Sequence, residues 1–298
     1  SIRLSLERES PFRETETWCT GLMRARIYTY TAEIRPANCL MAASAALIGI
    51  LVSKTTLSFG LIGPGVLAFV VIFLVTAGGN VINDYFDITI DKVNKPDRAL
   101  PSGQITQRGA LLYAITLTLF GVAVALFINP LCLGLATLNA ILLVLYSWKL
   151  KRTALFGNLL VGFLTGSVFL FGGAAVSAIF LPGVLFLCAM LAITSREIVK
   201  DVEDLQGDKR VGASTLPIRY GVSPSLTLAA LFMLAAVAIS PLPFVTSMLG
   251  FAYLGIVMLA DLILLYGVSL ARNAPSRASA LIKYGMLVVL LAYVIGAI

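Results

Sequence analysis

Apolar residues run on for whole stretches of this chain, and polar residues gather in the gaps. Read with a window of about 19 residues, nine runs stand out, near 36–53, 61–83, 108–128, 129–147, 155–177, 180–198, 224–244, 246–269 and 279–298. About twenty helical residues cross a hydrocarbon layer, so each run predicts one transmembrane helix. Only Asn129-Pro130, a tight turn, separates the third run from the fourth. The expected fold class is all-α: a polytopic membrane protein with nine transmembrane helices, in two four-helix pseudo-repeats plus one, around a central cavity.

The repeat is read from two acidic triplets. Asp84, Asp87 and Asp91 close the second run; Asp201, Asp204 and Asp208 follow the sixth, 117 positions on, with the same D-x-x-D-x-x-x-D spacing. Each ends in Asp-Lys (Asp91-Lys92 and Asp208-Lys209) and is followed about ten residues later by Leu-Pro (Leu100-Pro101 and Leu216-Pro217). This suggests halves over 35–150 and 151–270 within a membrane domain of 35–298. Both triplets end even-numbered spans, so they reach the same face and can oppose each other. The polar, turn-rich loops after them, KVNKPDRALPSGQ and KRVGASTLPIRYG, are expected to cap a site.

Composition agrees with a membrane setting. The chain is 59% hydrophobic and 12% charged, with mean hydropathy +0.95, against about 25% charged in soluble domains. It has no histidine, which removes imidazole acid–base chemistry, Ser-His triads and imidazole metal ligation. Cys19, Cys39, Cys132 and Cys188 are scattered, without metal-ligand spacing or a disulfide framework. The net charge of +7 is a matter of topology rather than of nucleic-acid binding. Of 22 basic residues, all but Lys54 fall on one side of the nine spans. The positive-inside rule therefore places the N-terminus and the charged loops in the cytoplasm and the C-terminus outside. Residues 1–34, with five arginines before Arg35 among Leu4, Phe12, Trp18 and Leu22, read as an amphipathic segment on the cytoplasmic leaflet, with no cleavable signal.

The triplets carry the chemistry. Positions i, i+3 and i+7 share a helical face, so each triplet directs three carboxylates one way at a membrane boundary. Acids at a helix C-terminus oppose the macrodipole and repel one another, which calls for cations; hard oxygen donors suit Mg²⁺. Asn83 extends the first cluster as an i, i+4, i+8 ladder with Asp87 and Asp91, and Asn80 lies one turn deeper. Basic side chains surround the same face: Arg35, Lys95 and Arg98, then Lys149, Lys151 and Arg152 after Tyr146, then Arg196 and Lys200 before the second triplet. Arg35 and Lys151 suit phosphate contact. Arg196 and Lys200 have the alternative of pairing with Asp201 and Asp204 along their own helix, and Arg272 and Arg277 fit membrane anchoring. Asp261, in mid-span, either is protonated, faces the cavity or caps a backbone group. The small-residue stretches TAGGN and FGGAAVSA are expected to serve close helix packing.

At this point the wording of the motifs is informative. NDYFDITIDKVNKPDRALPSG, with REIVKDVEDLQGDKRVGASTLPIRYG, resembles the UbiA superfamily of intramembrane prenyltransferases over nearly the whole chain, and within it the archaeal ether-lipid branch. The resemblance implies that Asn83, Asp87, Asp91, Asp204 and Asp208, supported by Asp84 and Asp201, hold Mg²⁺ on the diphosphate of geranylgeranyl diphosphate. Asp87, Asp91, Asp204 and Asp208 would be catalytic and the basic residues with Tyr146 would bind substrate. The implied acceptor is the hydroxyl of geranylgeranylglyceryl phosphate, giving an ether and pyrophosphate. An aromatic or quinone-precursor acceptor is the alternative, weakened by Tyr146-Ser147 where hydroxybenzoate-using members tend to carry Tyr-Pro. A transporter would place its acids at the bilayer midplane, where only Asp261 lies. The expected partners are a prenyl diphosphate, a lipid-like acceptor and membrane lipids, with no obligate protein partner.

Overall fold

The computed structural model describes residues 27–53, 59–210 and 212–298, with Arg152 described by its backbone alone. Most of the expected amphipathic segment, with Cys19 and Lys54, lies outside the described residues; 27–33 form a short helix.

Among the described residues, nine helices are long and apolar enough to cross a membrane. They are α1 (Pro36–Ser53), α2 (Ile62–Asn94), α3 (Gln107–Ala125), α4 (Pro130–Trp148), α5 (Phe156–Ala175), α6 (Phe180–Glu203), α7 (Val222–Ile239), α8 (Phe251–Ser269) and α9 (Pro275–Ala297). Their starts follow local chemistry. Thr106 caps α3 by accepting from the Gly109 N–H at 3.1 Å. Asn129 caps α4 by accepting from Cys132 N–H at 2.8 Å, with Pro130 at the first helical position. The predicted tight turn is thus a capped helix start, and the Asn129 amide also donates to the Ala174 carbonyl at the end of α5 (2.8 Å).

Two expected boundaries change. The second apolar run stops at 83, but α2 continues to Asn94 and carries the whole first triplet. Its 33 residues reach about 50 Å, so its last turns stand clear of a ~30 Å hydrocarbon layer. The eighth span begins at Phe251, not 246. A short helix at Leu242–Val245 and a left-handed turn at Ser247 (φ +57°) take up the difference.

The helices enclose one another unequally. In α5 and α6 half of the most apolar window is buried, against 22% in α3 and α4, so the former pair is central and the latter faces lipid. Leu112, Leu119 and Phe120 accordingly stand exposed on α3. Both small-residue stretches fall at helix crossings, as expected. A Cβ on Gly172 would strike the Ala46 carbonyl of α1, and one on Gly49 the Phe169 carbonyl of α5. Gly78 does the same for α2 against α3. Close backbone approach of this kind supplies packing where lipid offers no hydrophobic drive. α2 lies against α3 and α6 against α7, while α9 packs on α8 and α6.

The described cysteines, Cys39, Cys132 and Cys188, are buried and free. Of the three readings open for Asp261, the structure shows a buried carboxylate that accepts from the Ser240 hydroxyl at 2.6 Å and borders a cavity. Tyr253 donates in turn to the Ser240 carbonyl (2.6 Å).

Candidate active site

The first triplet lies on about the last three turns of α2, with Asp84, Asp87 and Asp91 all buried. Three carboxylates so enclosed need partners, because an unpaired buried charge is strongly destabilising. Each has a cation from a different part of the chain. Arg35, in the turn before α1, pairs with Asp84. Arg98, from the loop after α2, reaches back to bridge Asp84 (3.2 Å) and Asp91 (2.9 Å). Lys151, from the tight turn after α4, pairs with Asp87 and donates to the Asn83 Oδ1 at 3.3 Å. The Asn83 amide donates to Asp87 (3.3 Å), so the first rung of the expected ladder is bonded, while Asp91 turns to Arg98. Asn80, a turn deeper, donates to the Ile34 carbonyl (2.8 Å) and fixes the turn bearing Arg35.

Two local features hold these cations. Arg35 has φ +53° and precedes Pro36, a position sterically biased toward extended backbone. A left-handed non-glycine residue costs about 1–3 kcal/mol, and here the strain coincides with the pairing to Asp84. The loop carrying Arg98 is folded back by the Ile105 N–H donating to the Ala99 carbonyl (3.1 Å). Leu100 and Ile105 are buried among Ile34, Ala77 and Val81. The first loop is therefore a packed cap.

The second triplet corrects an expectation: its carboxylates do not share one continuous helical face. α6 ends at Glu203, Asp204 is its exposed C-cap, and the chain restarts as a short helix, Leu205–Arg210, that bears Asp208. Repulsion by the macrodipole at Asp204 and a glycine at position 207 both weigh against continuation. Asp201 accepts from the Asn158 amide of α5 at 2.8 Å. Burial, then the neighbouring Asp204, push the Asp208 carboxyl above the usual carboxylate range. The loop that follows is tied to the turn after α4 by an isolated parallel bridge between Thr153 and Ser214, which draws the Lys151 segment and the second acidic segment together.

Arg196 and Lys200 pair with neither Asp201 nor Asp204. Arg196 bonds to Glu197 (3.0 Å) and to the Ser279 carbonyl of α9 (3.3 Å), and Lys200 lies 3.7 Å from Glu197. Lys95 and Lys149 are exposed at the C-termini of α2 and α4, and the side chain of Arg152 lies outside the described residues. The sequence reading missed Glu33 and Asn158. Glu33 is buried beside this cluster, and burial, then Asp84, raise its carboxyl above the usual range. Its only sequence signal was the proximity to Arg35; Asn158 offered only an amide in the first turn of a span.

Below the ion pairs a cavity of about 710 Å³ opens between α1, α2, α4 and α5. Arg35, Asn80, Asn83, Tyr146 and Lys151 form its polar end, and Met41, Val71, Val75, Leu143, Val168 and Phe169 its apolar walls. Deep in it, Asn139 accepts from the Ser167 hydroxyl (2.9 Å). The space suits an anionic head on a long hydrocarbon tail. Among the described residues no three acidic, cysteine or histidine side chains converge into one ready metal cage. The carboxylates of the first triplet are instead turned to their own cations. The donor set of carboxylates and amide oxygens is nevertheless the hard, all-oxygen chemistry that Mg²⁺ takes.

A model of the UbiA prenyltransferase family matches residues 39–291. Digeranylgeranylglyceryl phosphate synthase of Methanosarcina mazei is 45% identical over 288 residues, covering 92% of this chain and all of that one. The enzyme of the same name from Methanococcoides burtonii is 46% identical, covering 90% and 99%. A solved structure described as that of a digeranylgeranylglyceryl phosphate synthase in membranes superposes with TM-score 0.86 at 42% identity, covering 92% of this chain and 99% of its own. A homologue from Archaeoglobus fulgidus bound to GPP and Mg²⁺ has TM-score 0.69 at 19% identity, covering 88% and 99%, and shares the fold.

Proposed function

The chain belongs to the UbiA prenyltransferase family, and from that premise we propose that it moves a geranylgeranyl group from geranylgeranyl diphosphate to the free hydroxyl of geranylgeranylglyceryl phosphate. It is an intramembrane prenyltransferase; the choice of substrates is the proposal. The observation that carries it is the cavity in which Arg35, Asn83 and Lys151 head a wall of apolar side chains. That arrangement receives a diphosphate at one end and an isoprenoid tail at the other. The identity to synthases of that product over nine-tenths of the chain directs the choice of acceptor.

In this reading Arg35 and Lys151 exchange their carboxylate partners for diphosphate oxygens, which their donor geometry and charge suit. Asn83, Asp84, Asp87 and Asp91 from one side, with Asp201, Asp204 and Asp208 from the other, would hold Mg²⁺. When bound, the metal neutralises charge on the leaving diphosphate. The apolar walls keep water from the allylic cation left when the C–O bond breaks. The acceptor hydroxyl then forms the new C–O bond, and its proton leaves with the released pyrophosphate. Tyr146, at the polar end, orients the reacting ends. The positive-inside pattern puts this end of the molecule in the cytoplasm, with the C-terminus outside.

A prenyl-transfer assay on detergent-purified protein tests the reading. Labelled geranylgeranyl diphosphate and Mg²⁺ are supplied with geranylgeranylglyceryl phosphate beside 4-hydroxybenzoate and a naphthoate. An ether-lipid product, absent with EDTA and in Asp87→Ala and Asp204→Ala, is expected. Prenylation of an aromatic acid in its place would refute the acceptor.

A further inference from the structure

A second cavity, about 210 Å³, lies between α5, α6, α7, α8 and α9 and adjoins the first: Thr165 and Phe169 of α5 line both. It is a slot along the seam of α6 and α9, walled by Ala189 and Ala192 on one side and Met286 and Leu290 on the other. Two ionisable groups border it at matching depth. Asp261 lies eight residues before the end of α8 and Lys283 eight residues after the start of α9, each about 12 Å from the hairpin between them. They do not pair: Asp261 takes its hydrogen bond from Ser240, and among the described residues no ion pair holds Lys283. One turn from Lys283 towards the charged loops, Arg196 of α6 bonds to the Ser279 carbonyl and closes the upper end of the seam.

Ionisable side chains at membrane depth are expensive and mark functional paths. Here an exposed lysine lines, and an arginine closes, one end of a slot with mostly apolar walls, and Asp261, the acid that borders it, is taken up by Ser240. The two cations and the apolar walls are the chemistry of a lipid with an anionic head and one hydrocarbon chain. The first cavity has its own cations for a diphosphate. The proposed reaction joins two such amphiphiles, and their reacting ends must meet at one place while their chains are kept apart. Two slots divided by Thr165 and Phe169 meet that requirement. We propose that the seam of α6 and α9 is the acceptor subsite. The chain of the acceptor lies between Ala189, Ala192, Met286 and Leu290, its phosphate is held by Lys283 with Arg196, and Phe169 partitions it from the donor chain. This rests on the ether-lipid reading above.

The test uses the full chain, geranylgeranyl diphosphate and Mg²⁺, with either geranylgeranylglyceryl phosphate or a glycerol phosphate ether bearing a shorter, geranyl chain. Lys283→Gln removes one charged hydrogen bond to phosphate and is expected to raise the acceptor KM by about tenfold or more. The donor KM stays unchanged and Lys283→Arg restores binding. Ala189→Phe fills the slot and is expected to abolish use of the long-chain acceptor while the short-chain acceptor is still prenylated. Unchanged acceptor constants in Lys283→Gln, or a rise in donor KM alone, would overturn the subsite. So would equal loss of both acceptors in Ala189→Phe with donor binding intact. Failure of the ether-lipid reading shows separately, and removes the subsite with it: the unaltered protein would then prenylate an aromatic acid and leave geranylgeranylglyceryl phosphate untouched.

Discussion

Replacing Arg98 by methionine removes the guanidinium that bridges Asp84 and Asp91 while keeping much of the side-chain volume. The structure sets the size of the effect. Arg98 makes two charge-assisted hydrogen bonds, at 3.2 and 2.9 Å, to carboxylates that are almost fully buried. Bonds to charged groups are worth about 1.5–3 kcal/mol each, and the Arg98 side chain is 30% exposed, so solvent screening favours the lower end. Asp84 also keeps Arg35, which leaves Asp91 as the main loser. A destabilisation of about 2 kcal/mol follows for the metal-free protein. It is measured by thermal denaturation in detergent, together with protease sensitivity of the loop over 95–104, which Arg98 helps to hold down. Adding Asp91→Asn to Arg98→Met removes the stranded charge and is expected to recover about 1 kcal/mol or more as coupling. If Arg98→Met melts like the parent and the loop stays protected, the ion pairs do not hold the cap and the reasoning fails.

Lys151→Gln is expected to cut kcat/KM for geranylgeranyl diphosphate by about tenfold to a hundredfold, with Lys151→Arg milder; steady-state kinetics checks it. Gly172→Leu would drive a side chain into the α1 backbone at Ala46 and is expected to cost about 3 kcal/mol or more, read from yield and melting temperature, whereas Gly183→Ala, where a Cβ meets open space, should be well tolerated apart from propensity. Asp208 has its carboxyl raised above the ordinary 3.8, first by burial and then by Asp204. The folded chain thus holds this proton more tightly than the unfolded one. Its stabilising contribution is present below the unfolded pKa and is lost as pH rises through the folded value. Asp208→Asn is therefore expected to melt higher than the parent at pH 7 without metal, and no higher near pH 3; equal melting at both values would contradict this.

The nine spans were readable because lipid demands long, unbroken apolar helices, and their cores needed no tertiary knowledge. The first triplet was readable for the same reason: α2 is a continuous helix, so spacing alone put Asp84, Asp87 and Asp91 together. The second was only half readable, since helix termination at Asp204 depends on capping and on Gly207, both weak signals. Which cation meets which acid lay beyond periodicity. Arg98 reaches Asp91 only because Leu100 and Ile105 fold the loop back, and Lys151 reaches Asp87 across 64 positions of chain. Asn158 and Glu33 escaped notice because a lone amide or acid beside a span looks like any polar boundary residue. The α6–α9 slot was invisible for a plainer reason: its walls are mostly apolar residues such as Ala189, Met286 and Leu290, indistinguishable in sequence from packing.

The bridge between Thr153 and Ser214 also carries a mechanical consequence. It fastens the turn that holds Lys151 to the loop that leaves Asp208, so the two acidic clusters are joined by one backbone bridge and one ion pair, that of Lys151 with Asp87. A shift of the turn after α4 is therefore expected to reach the loop after Asp208 as well, and with it the ion pair that Lys151 makes on α2.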